Sequence, residues 1–524
     1  MSRYRVKNLI PIVFLLSLGT KTFAQQKNSN PGTANTAEVI APKEWPPFRL
    51  HLNIEPVSLK PWEQKNSSAG YLLSQLNGTL LKYSQNKLTP SLAKSCEYKT
   101  KKTVECRIKD DASFSDGTPI TAAHFKDTWL EFLKPENRSQ HPELLFAIEG
   151  AKDYYIGKKP ISAVKIFATK DRLTIHLNNA SQEFLYNLAN PLLAPLKNFQ
   201  FPELKDSQNW VSSGAFKVVA WVPQKKITLE SRKNKNLKVE FVFVSEDSTA
   251  LNLYEKGELS FLRRLPTVFI AKYKTRPDFY QIPQNRMDYF GLAGELKNSP
   301  EIREALTKSL NYDEITQLLA SKGQFGCPGI STELQLQVPC FRQDLEGARQ
   351  ALQRHRNLHA GIPKLKLVYS KQGGDDHKMV AEWMQSQWKS HLSLDVEISS
   401  KENKLFLEEL KTNPPALFRK GLNPERPTCL AALENFEPAN PENFLQINDG
   451  DNKKFLETLA ELKTATDSVK SKKLCSQAVA ELTNGSWWIP TGPIHFTVLA
   501  KPEWTGWTLN ELNQLELENL ILKH

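Results

Sequence analysis

A strand–helix–strand pattern in the C-terminal half of the chain most narrows the folds that it can adopt. Residues 364–370 and 394–398 have the composition of strands, and the segment 377–391 between them has the apolar spacing of an amphipathic helix. A helix that connects two strands of one sheet as a crossover makes those strands parallel. The pattern therefore predicts an α/β fold with a parallel strand pair in this half.

The N-terminal half has a different pattern, in which short strands dominate. We predict strands at 48–54, 103–108, 163–177 (a pair), 215–221, 226–230 and 238–244, and helices at 70–81 and 247–256. A chain of 524 residues exceeds what one core normally organises, and its 26 Phe, 13 Tyr and 11 Trp supply the apolar surface for a sizeable fold. We therefore expect an α/β protein with two unlike lobes.

The first residues have the organisation of a secretory signal peptide. Three basic residues precede the apolar run 9–18, which is too short to span a bilayer as a helix, and a small-residue motif ends at Ala24. We expect residues 1–24 to be cleaved near Ala24 and the mature protein to be periplasmic. Residues 25–44 are polar and contain no aromatic residue, so we expect a disordered leader. The alternative is a retained membrane anchor.

Charge and motif content argue against several classes of protein. The formal net charge is +12, but the basic residues are spread along the chain, which indicates a solvated surface rather than a nucleic-acid site. The sequence also lacks the glycine-rich and nucleophile motifs of nucleotide-binding proteins and hydrolases. We therefore expect no enzyme activity, no cofactor and no nucleic-acid partner.

The six cysteines all follow the predicted signal peptide. An even number of cysteines in an oxidising compartment predicts disulfides, although six cysteines can pair in many ways. A metal cluster is disfavoured, because no two cysteines have the C-x-x-C spacing. The order along the chain suggests the bridges Cys96–Cys106, Cys327–Cys340 and Cys429–Cys475.

Two histidines have a spacing that can hold zinc. His355 and His359 lie at positions i and i+4 of a predicted helix. No Glu follows His355 as it would in an H-E-x-x-H motif, and Arg356 lies between the two histidines. We therefore favour a solvated helix face here and expect no metal site.

Residues 103–133 contain a distinctive succession of features. A strand closes on Arg107, residues 114–119 (FSDGTP) form a turn, and a helix begins near Thr121. This segment resembles the signature of the solute-binding proteins of ABC importers, in the family (family 5) that contains the oligopeptide- and dipeptide-binding proteins. Further segments are similar to that family in the same order: 55–61, 88–93, 213–230, 254–259 and 303–311.

The resemblance implies a two-lobed periplasmic-binding-protein (Venus flytrap) fold of the α/β class, with an extra subdomain in the first lobe. The first lobe would comprise residues 45–287 and 495–524, with the subdomain at 67–187, and the second lobe residues 288–494. It further implies a monomer that closes around a short peptide and delivers it to an inner-membrane ABC permease. The same fold could instead bind a non-peptide solute, or serve as a sensor or interaction receptor without transport.

The resemblance also implies a binding strand at 416–423. Members of the family pair such a strand with the peptide backbone and hold the ligand's ammonium group with an acid four residues after a glycine. Gly421 places that acid at Glu425, although Pro424 would distort the strand, and a second alignment of the segment that follows places the acid at Glu437.

Other residues of this strand are ligand-binding candidates as well. Arg419 could pair with the ligand's carboxylate, or it could be a solvated strand side chain. Leu422, which stands where the family has an aromatic residue, and Asn423 complete the strand that would contact the ligand's backbone.

Overall fold

The computed structural model describes most of the chain after the predicted leader. The described residues are 45–64, 67–84, 87–179, 183–199, 209–319, 325–329, 338–371, 375–422, 424, 426–438, 440–448, 450–465 and 467–523. The predicted signal peptide and leader lie outside these residues. Within the described ranges, no helix combines the length and the apolar character that crossing a bilayer requires.

Helices occur throughout the described chain. In chain order, the α-helices are α1 (Ser67–Leu76), α2 (Ala122–Phe132), α3 (Ala151–Tyr155), α4 (Phe184–Asn187), α5 (Asp247–Glu255), α6 (Ile270–Tyr273), α7 (Pro300–Lys308), α8 (Tyr312–Leu318), α9 (Leu345–Leu358), α10 (Asp375–Leu392), α11 (Asn403–Thr412), α12 (Cys429–Leu433), α13 (Lys453–Thr464) and α14 (Ser468–Asn484).

Strand length varies widely, and β12 and β16 are the longest of the described strands. In chain order, the strands are β1 (Phe48–Leu52), β2 (Leu81–Ser84), β3 (Lys87–Pro90), β4 (Ala93–Thr100), β5 (Thr103–Ile108), β6 (Ile166–Ala168), β7 (Arg172–His176), β8 (Phe216–Val222), β9 (Lys226–Ser231), β10 (Lys238–Phe243), β11 (Phe261–Leu262), β12 (Phe279–Leu292), β13 (Leu365–Ser370), β14 (Val396–Lys401), β15 (Leu417–Leu422), β16 (Trp488–Ala500), β17 (Trp504–Thr505), β18 (Thr508–Leu509), β19 (Leu515–Glu516) and β20 (Ile521–Leu522).

A mixed sheet organises both halves of the chain. Its strand order is β14-β13-β15-β12-β16-β11-β1-β10-β9-β8. Parallel pairing joins β13 to β14 and β15, and joins β1 to β10 and β11, whereas β12 pairs antiparallel with β15 and β16. The long strands β12 and β16 are paired from Phe279 to Gly291, and the register shifts between Pro283 and Met287 and again between Met287 and Tyr289.

Successive residues of β12 enter two different cores. Met287 and Tyr289 pack with residues of α11 to α14, whereas Phe290 and Leu292 pack with residues of α7, α9 and α10. Side chains alternate across a strand, so the two cores lie on opposite faces of the sheet. This part of the sheet is therefore covered by helices on both faces, as is typical of sheets with parallel strands.

The strand–helix–strand prediction is confirmed. β13 and β14 are parallel, and α10 connects them. Met384 and Trp388 of this helix are fully buried, and Nε1 of Trp388 donates a hydrogen bond to the carbonyl oxygen of Leu306 at 2.9 Å. The apolar stripe of α10 is therefore a packing surface of the second half of the chain.

The strand predictions in the N-terminal half are also confirmed, but one helix prediction is wrong. β6 pairs antiparallel with β7, and β8 with β9. The helix predicted at 70–81 ends at Leu76, and Leu81 already begins β2. Gly78 accounts for the difference, because a Cβ there would lie 2.5 Å from the carbonyl oxygen of Ser213. The chain leaves the helix at a glycine in order to approach another segment.

Three disulfides join the pairs that the order along the chain suggested. Cys96 and Cys106 lie directly opposite each other in the β4–β5 hairpin. A second bridge joins Cys327 to Cys340, and a third joins Cys429, at the start of α12, to Cys475 in α14.

Candidate functional site

One edge of β15 is only partly paired. The strand pairs with β12 over its whole length, but β13 pairs only with Leu417 and Phe418. Among the described residues, no strand pairs with Lys420, Gly421 or Leu422 on the edge opposite β12, although Nζ of Lys420 donates a hydrogen bond to the carbonyl oxygen of Gly421 at 3.1 Å. These residues therefore offer backbone donors and acceptors to an extended ligand.

Gly421 leaves room for two charged side chains of β12. It pairs with Asp288 of β12, and a Cβ on Gly421 would lie 2.7 Å from Oδ1 of Asp288. The same Cβ would lie 3.0 Å from a guanidinium nitrogen of Arg286. A larger residue at this position would therefore displace that ion pair.

Asp288 is shared by two arginines. Nε and Nη2 of Arg286 donate hydrogen bonds to its carboxylate at 2.9 and 3.3 Å, and Nη2 of Arg419 donates to it at 3.0 Å. The side chain of Asp288 is 4% exposed, and that of Arg419 is 13% exposed. Asp288 thus joins a guanidinium group of its own strand to one of β15.

The cluster stays ionised. Burial raises the pKa of Asp288, but the charges of Arg286 and Arg419 outweigh burial and hold this pKa below its usual value. The charge of Asp288 in turn raises the pKa of Arg286. The only carboxylate of the cluster is thus committed to two cations, which makes the cluster suited to an anion and unsuited to a metal ion.

Lys420 and Arg419 contact aromatic rings on opposite faces of the sheet. Nζ of Lys420 lies 5.5 Å from the ring centroid of Phe444 and 3.8 Å from the carboxylate of Glu442. The guanidinium carbon of Arg419 lies 6.0 Å from the ring centroid of Phe290. Both contacts are of the cation–π type, in which the face of the ring attracts the cation.

The remaining sequence candidates are spread around the end of β15. Leu422 is 2% exposed and packs in the core with α11 to α14, so only its backbone is available to a ligand. Asn423 and Glu425 lie outside the described residues. Glu437 follows a 3-10 turn and forms an ion pair with Lys463. No hydrogen bond or ion pair between described residues joins Glu437 to the Asp288 cluster.

A short buried helix separates β15 from Glu437. The residues of α12 are all buried, and the Cys429–Cys475 bridge fastens this helix to α14. The side-chain hydroxyl of Thr428 caps α12 by accepting a hydrogen bond from the backbone N–H of Ala431 at 3.2 Å. The segment between the two candidate acids, Glu425 and Glu437, thus contains an ordered helix of the fold.

Sequence reasoning did not identify Arg426, which contacts a distant part of the chain. Its Nε donates a hydrogen bond to the carboxylate of Glu183 at 3.0 Å, and it also forms an ion pair with Glu434. The hydroxyl of Thr428 donates to the same oxygen of Glu183 at 2.9 Å, and the side chain of Asn285 donates to the carbonyl oxygen of Arg426 at 2.9 Å. Because 243 residues separate Glu183 from Arg426, no local pattern could have linked them.

The cluster around Arg426 is the electrostatic opposite of the cluster around Asp288. Burial opposes the charge of Arg426, but the carboxylates of Glu434 and Glu183 outweigh burial and raise its pKa. Burial raises the pKa of Glu183 despite the nearby guanidinium group. One arginine with two carboxylates leaves an excess negative charge here, which favours a cationic group or a proton.

Relatives of this chain are proteins that bind solutes. The protein is 27% identical to the oligopeptide-binding protein OppA of Bacillus subtilis (strain 168) over 484 residues, which cover 86% of this chain and 87% of that protein. It is 24% identical over 530 residues to YgiS of Escherichia coli (strain K12), named a probable deoxycholate-binding periplasmic protein, with 94% of each chain covered.

Solved structures with the same fold agree with this relationship. The murein tripeptide binding protein MppA of Escherichia coli superposes with a TM-score of 0.76 at 20% identity, covering 91% of this chain and 99% of that chain. The predicted two-lobed α/β fold is thereby confirmed. The model of the family described as "Bacterial extracellular solute-binding proteins, family 5 Middle" matches residues 87–443, and the chain therefore belongs to that family of solute-binding proteins.

Proposed function

We propose that this protein is the periplasmic substrate-binding component of an ABC importer, and that it binds short peptides and delivers them to an inner-membrane permease. The observation that carries the proposal is the edge of β15 from Lys420 to Leu422, with which no described strand pairs on the side opposite β12. A peptide of varied sequence has to be held by its backbone, and an extended peptide pairs with such an edge as an added strand. This class of ligand is supported by the similarity to OppA, an oligopeptide-binding protein, and to MppA, a murein tripeptide binding protein.

We propose the two lobes that the family resemblance implies. The first lobe comprises residues 45–287 and 495–524, with its subdomain at 67–187, and the second lobe residues 288–494. Both proposed crossings lie within the paired strands β12 and β16, and the register of this pair is irregular on both sides of Met287. Irregular pairing bends and twists strands, which supports a hinge at this position. Ligand that contacts both lobes would then favour the closed state.

The ligand's carboxylate is assigned to Arg419. Its place in β15, beside the proposed binding edge, supports this role, because the planar fork of a guanidinium group matches a carboxylate in geometry and charge. Under the same proposal, residues 1–24 are an export signal that is cleaved near Ala24, and the mature protein is periplasmic.

For the ligand's ammonium group we retain the two acids that the sequence indicates. Glu425 has the expected spacing from Gly421, whereas Glu437 would have to exchange its present partner, Lys463, for the ligand. Glu425→Gln and Glu437→Gln should therefore be compared for binding of a tripeptide and of its N-acetylated form. Loss of affinity of about 2–5 kcal/mol for the free tripeptide alone identifies the acid that holds the ammonium group.

The test of the proposed function is the identity of the bound solute. We would purify the protein from its natural compartment, denature it and identify the released small molecules by mass spectrometry. Short peptides of mixed sequence would support the proposal. A single non-peptide solute would refute the peptide assignment while leaving the fold and the lobes unchanged.

A non-peptide ligand is the second candidate function. In this family the acid that holds the ammonium group lies four residues after a glycine of the binding strand. Here an ordered segment that contains Arg426 and α12 lies between β15 and Glu437. The relative YgiS is named a probable deoxycholate-binding protein, and deoxycholate is a bile acid rather than a peptide. The mass-spectrometry experiment distinguishes this candidate, and recovery of no solute in repeated preparations would favour a sensor or interaction receptor.

A further inference from the structure

Three side chains that could bind a metal ion converge between α7 and α9. Glu301 lies in the first turn of α7, His355 lies in the last turn of α9, and His359 immediately follows α9. One carboxylate oxygen and one ring nitrogen from each histidine all lie within 4.8 Å of one another. The sequence indicates the two histidines alone, and the packing of α7 against α9 adds the carboxylate.

His355 is buried and already oriented. Its side chain is 2% exposed, and its Nε2 lies 3.0 Å from the carbonyl oxygen of Gly361. A carbonyl oxygen only accepts, so Nε2 carries the proton and donates it, and Nδ1 of the neutral ring presents a lone pair. A metal-binding histidine typically donates its second ring N–H to a backbone carbonyl in this way, because the bond fixes the tautomer and the ring orientation.

The lone pair of His355 is directed towards Glu301. Nδ1 lies 3.9 Å from Oε2 of Glu301, which is too long for a hydrogen bond. Among the described residues, neither of these two buried atoms has a hydrogen-bond partner. Buried polar atoms normally have partners, so two that face each other at this distance indicate a missing group between them.

His359 provides access from solvent. Its side chain is exposed, and its ring stacks on that of His355 with 4.4 Å between centroids. A tetrahedral zinc site with bonds of about 2.0–2.2 Å places its ligand atoms roughly 3.3–3.6 Å apart. The exposed ring can rotate to close the remaining distance without disturbing the buried side chains.

We propose that Glu301, His355 and His359 form a Zn²⁺ site on the second half of the chain, with Nδ1 of His355 as a ligand and solvent in the remaining position. Two imidazole nitrogens and one carboxylate oxygen are ligands that Zn²⁺ prefers, whereas Ca²⁺ and Mg²⁺ prefer all-oxygen sites. The ion would fasten the start of α7 to the end of α9. The proposal uses no residue of β15 or of the Asp288 cluster, so it is independent of the proposed peptide binding.

The test is a titration of the full exported protein with Zn²⁺ alone. The protein is first stripped with a chelator, and Zn²⁺ affinity and stoichiometry are then measured by competition with a chromophoric chelator. We expect one tight site in the native protein. Glu301→Gln and His359→Gln should each weaken it by more than about tenfold, since even loss of an outer-shell partner costs about 10–100-fold in metal affinity.

A matched control separates this site from general histidine binding. His141 is partly exposed and lies 3.3 Å from the carboxylate of Glu143. His141→Gln should leave the affinity and the stoichiometry unchanged. Zn²⁺ should also raise the Tm of the native protein and of His141→Gln, but not that of His359→Gln.

His359→Gln is the decisive variant, because an exposed side chain can be replaced without loss of buried packing. Its Tm in the absence of metal should equal that of the native protein. If His359→Gln and the double variant Glu301→Gln/His359→Gln bind Zn²⁺ as tightly as the native protein, the proposed site is refuted.

Discussion

Arg426 and Glu183 form a hydrogen-bonded ion pair of 3.0 Å between segments that are 243 residues apart in the chain. In the proposed division of the chain, Glu183 belongs to the subdomain of the first lobe and Arg426 belongs to the second lobe. The contact is also largely buried, since the side chain of Arg426 is 13% exposed. Removing one partner of such a pair is far more costly than removing both, because it leaves a buried charge without compensation.

Replacement of Arg426 should therefore destabilise the protein strongly. Arg426→Met leaves Glu183 and Glu434 as partly buried carboxylates, and we expect the free energy of unfolding to fall by about 2–3 kcal/mol, less than for a fully buried pair. The double variant Glu183→Gln/Arg426→Met should recover part of this loss. Urea denaturation of the single and double variants measures the coupling. Lys463→Met is a suitable control, because its pair with Glu437 is more exposed and its loss should cost less than about 1 kcal/mol.

Gly421→Ala should disturb the binding strand through a steric contact. The new methyl group would lie 2.7 Å from Oδ1 of Asp288, so the Asp288–Arg286 pair has to move. We expect a loss of about 1–3 kcal/mol in the free energy of unfolding, with weaker ligand binding. Gly361→Ala is the matched control, since a Cβ on Gly361 meets no heavy atom within 4 Å. Equal stability of Gly421→Ala and the native protein would contradict the close packing of the Asp288–Arg286 pair against Gly421.

Arg419→Met should reduce peptide affinity only when the peptide has a free carboxylate. The variant leaves Asp288 paired with Arg286, so the fold should be retained. For a tripeptide with a free C-terminus we expect a loss of about 2–5 kcal/mol in binding free energy, measured by isothermal titration calorimetry. The C-terminally amidated tripeptide should bind the variant and the native protein equally well. An equal loss for both peptides would show that Arg419 does not contact the carboxylate.

Glu518 should contribute to the loss of stability in acid. Burial raises the pKa of Glu518, but Lys233 and Lys82, at 2.6 and 2.7 Å, outweigh burial and lower this pKa from 4.5 to about 2. A pKa that is lower in the folded protein than in the unfolded chain contributes stability at neutral pH, and this contribution is lost as the pH falls from about 4.5 towards 2.

Glu518→Gln should accordingly flatten the acid limb of the stability profile. We expect the decrease in the free energy of unfolding between about pH 6 and about pH 3 to be smaller in this variant by about 1–2 kcal/mol, after allowance for solvent screening. Urea denaturation at a series of pH values measures this difference. Glu97→Gln is the control, because Glu97 is mostly exposed and pairs with the exposed Lys99. A profile for Glu518→Gln that matches the native one would remove Glu518 from the acid response.

The sequence predicted best what depends on neighbouring residues. The spacing of apolar residues along α10 and the alternation in its flanking strands are local, and both were recovered in the structure. The helix at 70–81 was predicted too long because the close approach of Gly78 to Ser213 cannot be read from residues near Gly78. The site shows the same limit. Arg419 and Gly421 were identified from a family pattern, whereas Asp288, Glu183 and Glu301 join their clusters only through packing of distant segments.

The alternation of β12 between two cores restricts how this protein can move. A slip of the strand by a single residue would exchange Tyr289 and Phe290 between opposite faces of the sheet, and both cores would lose their fit at once. Sliding of β12 is therefore disfavoured, and the opening and closing of the proposed function would require a bend or a twist of β12 and β16. The irregular stretch between Pro283 and Tyr289 is where such a deformation costs least.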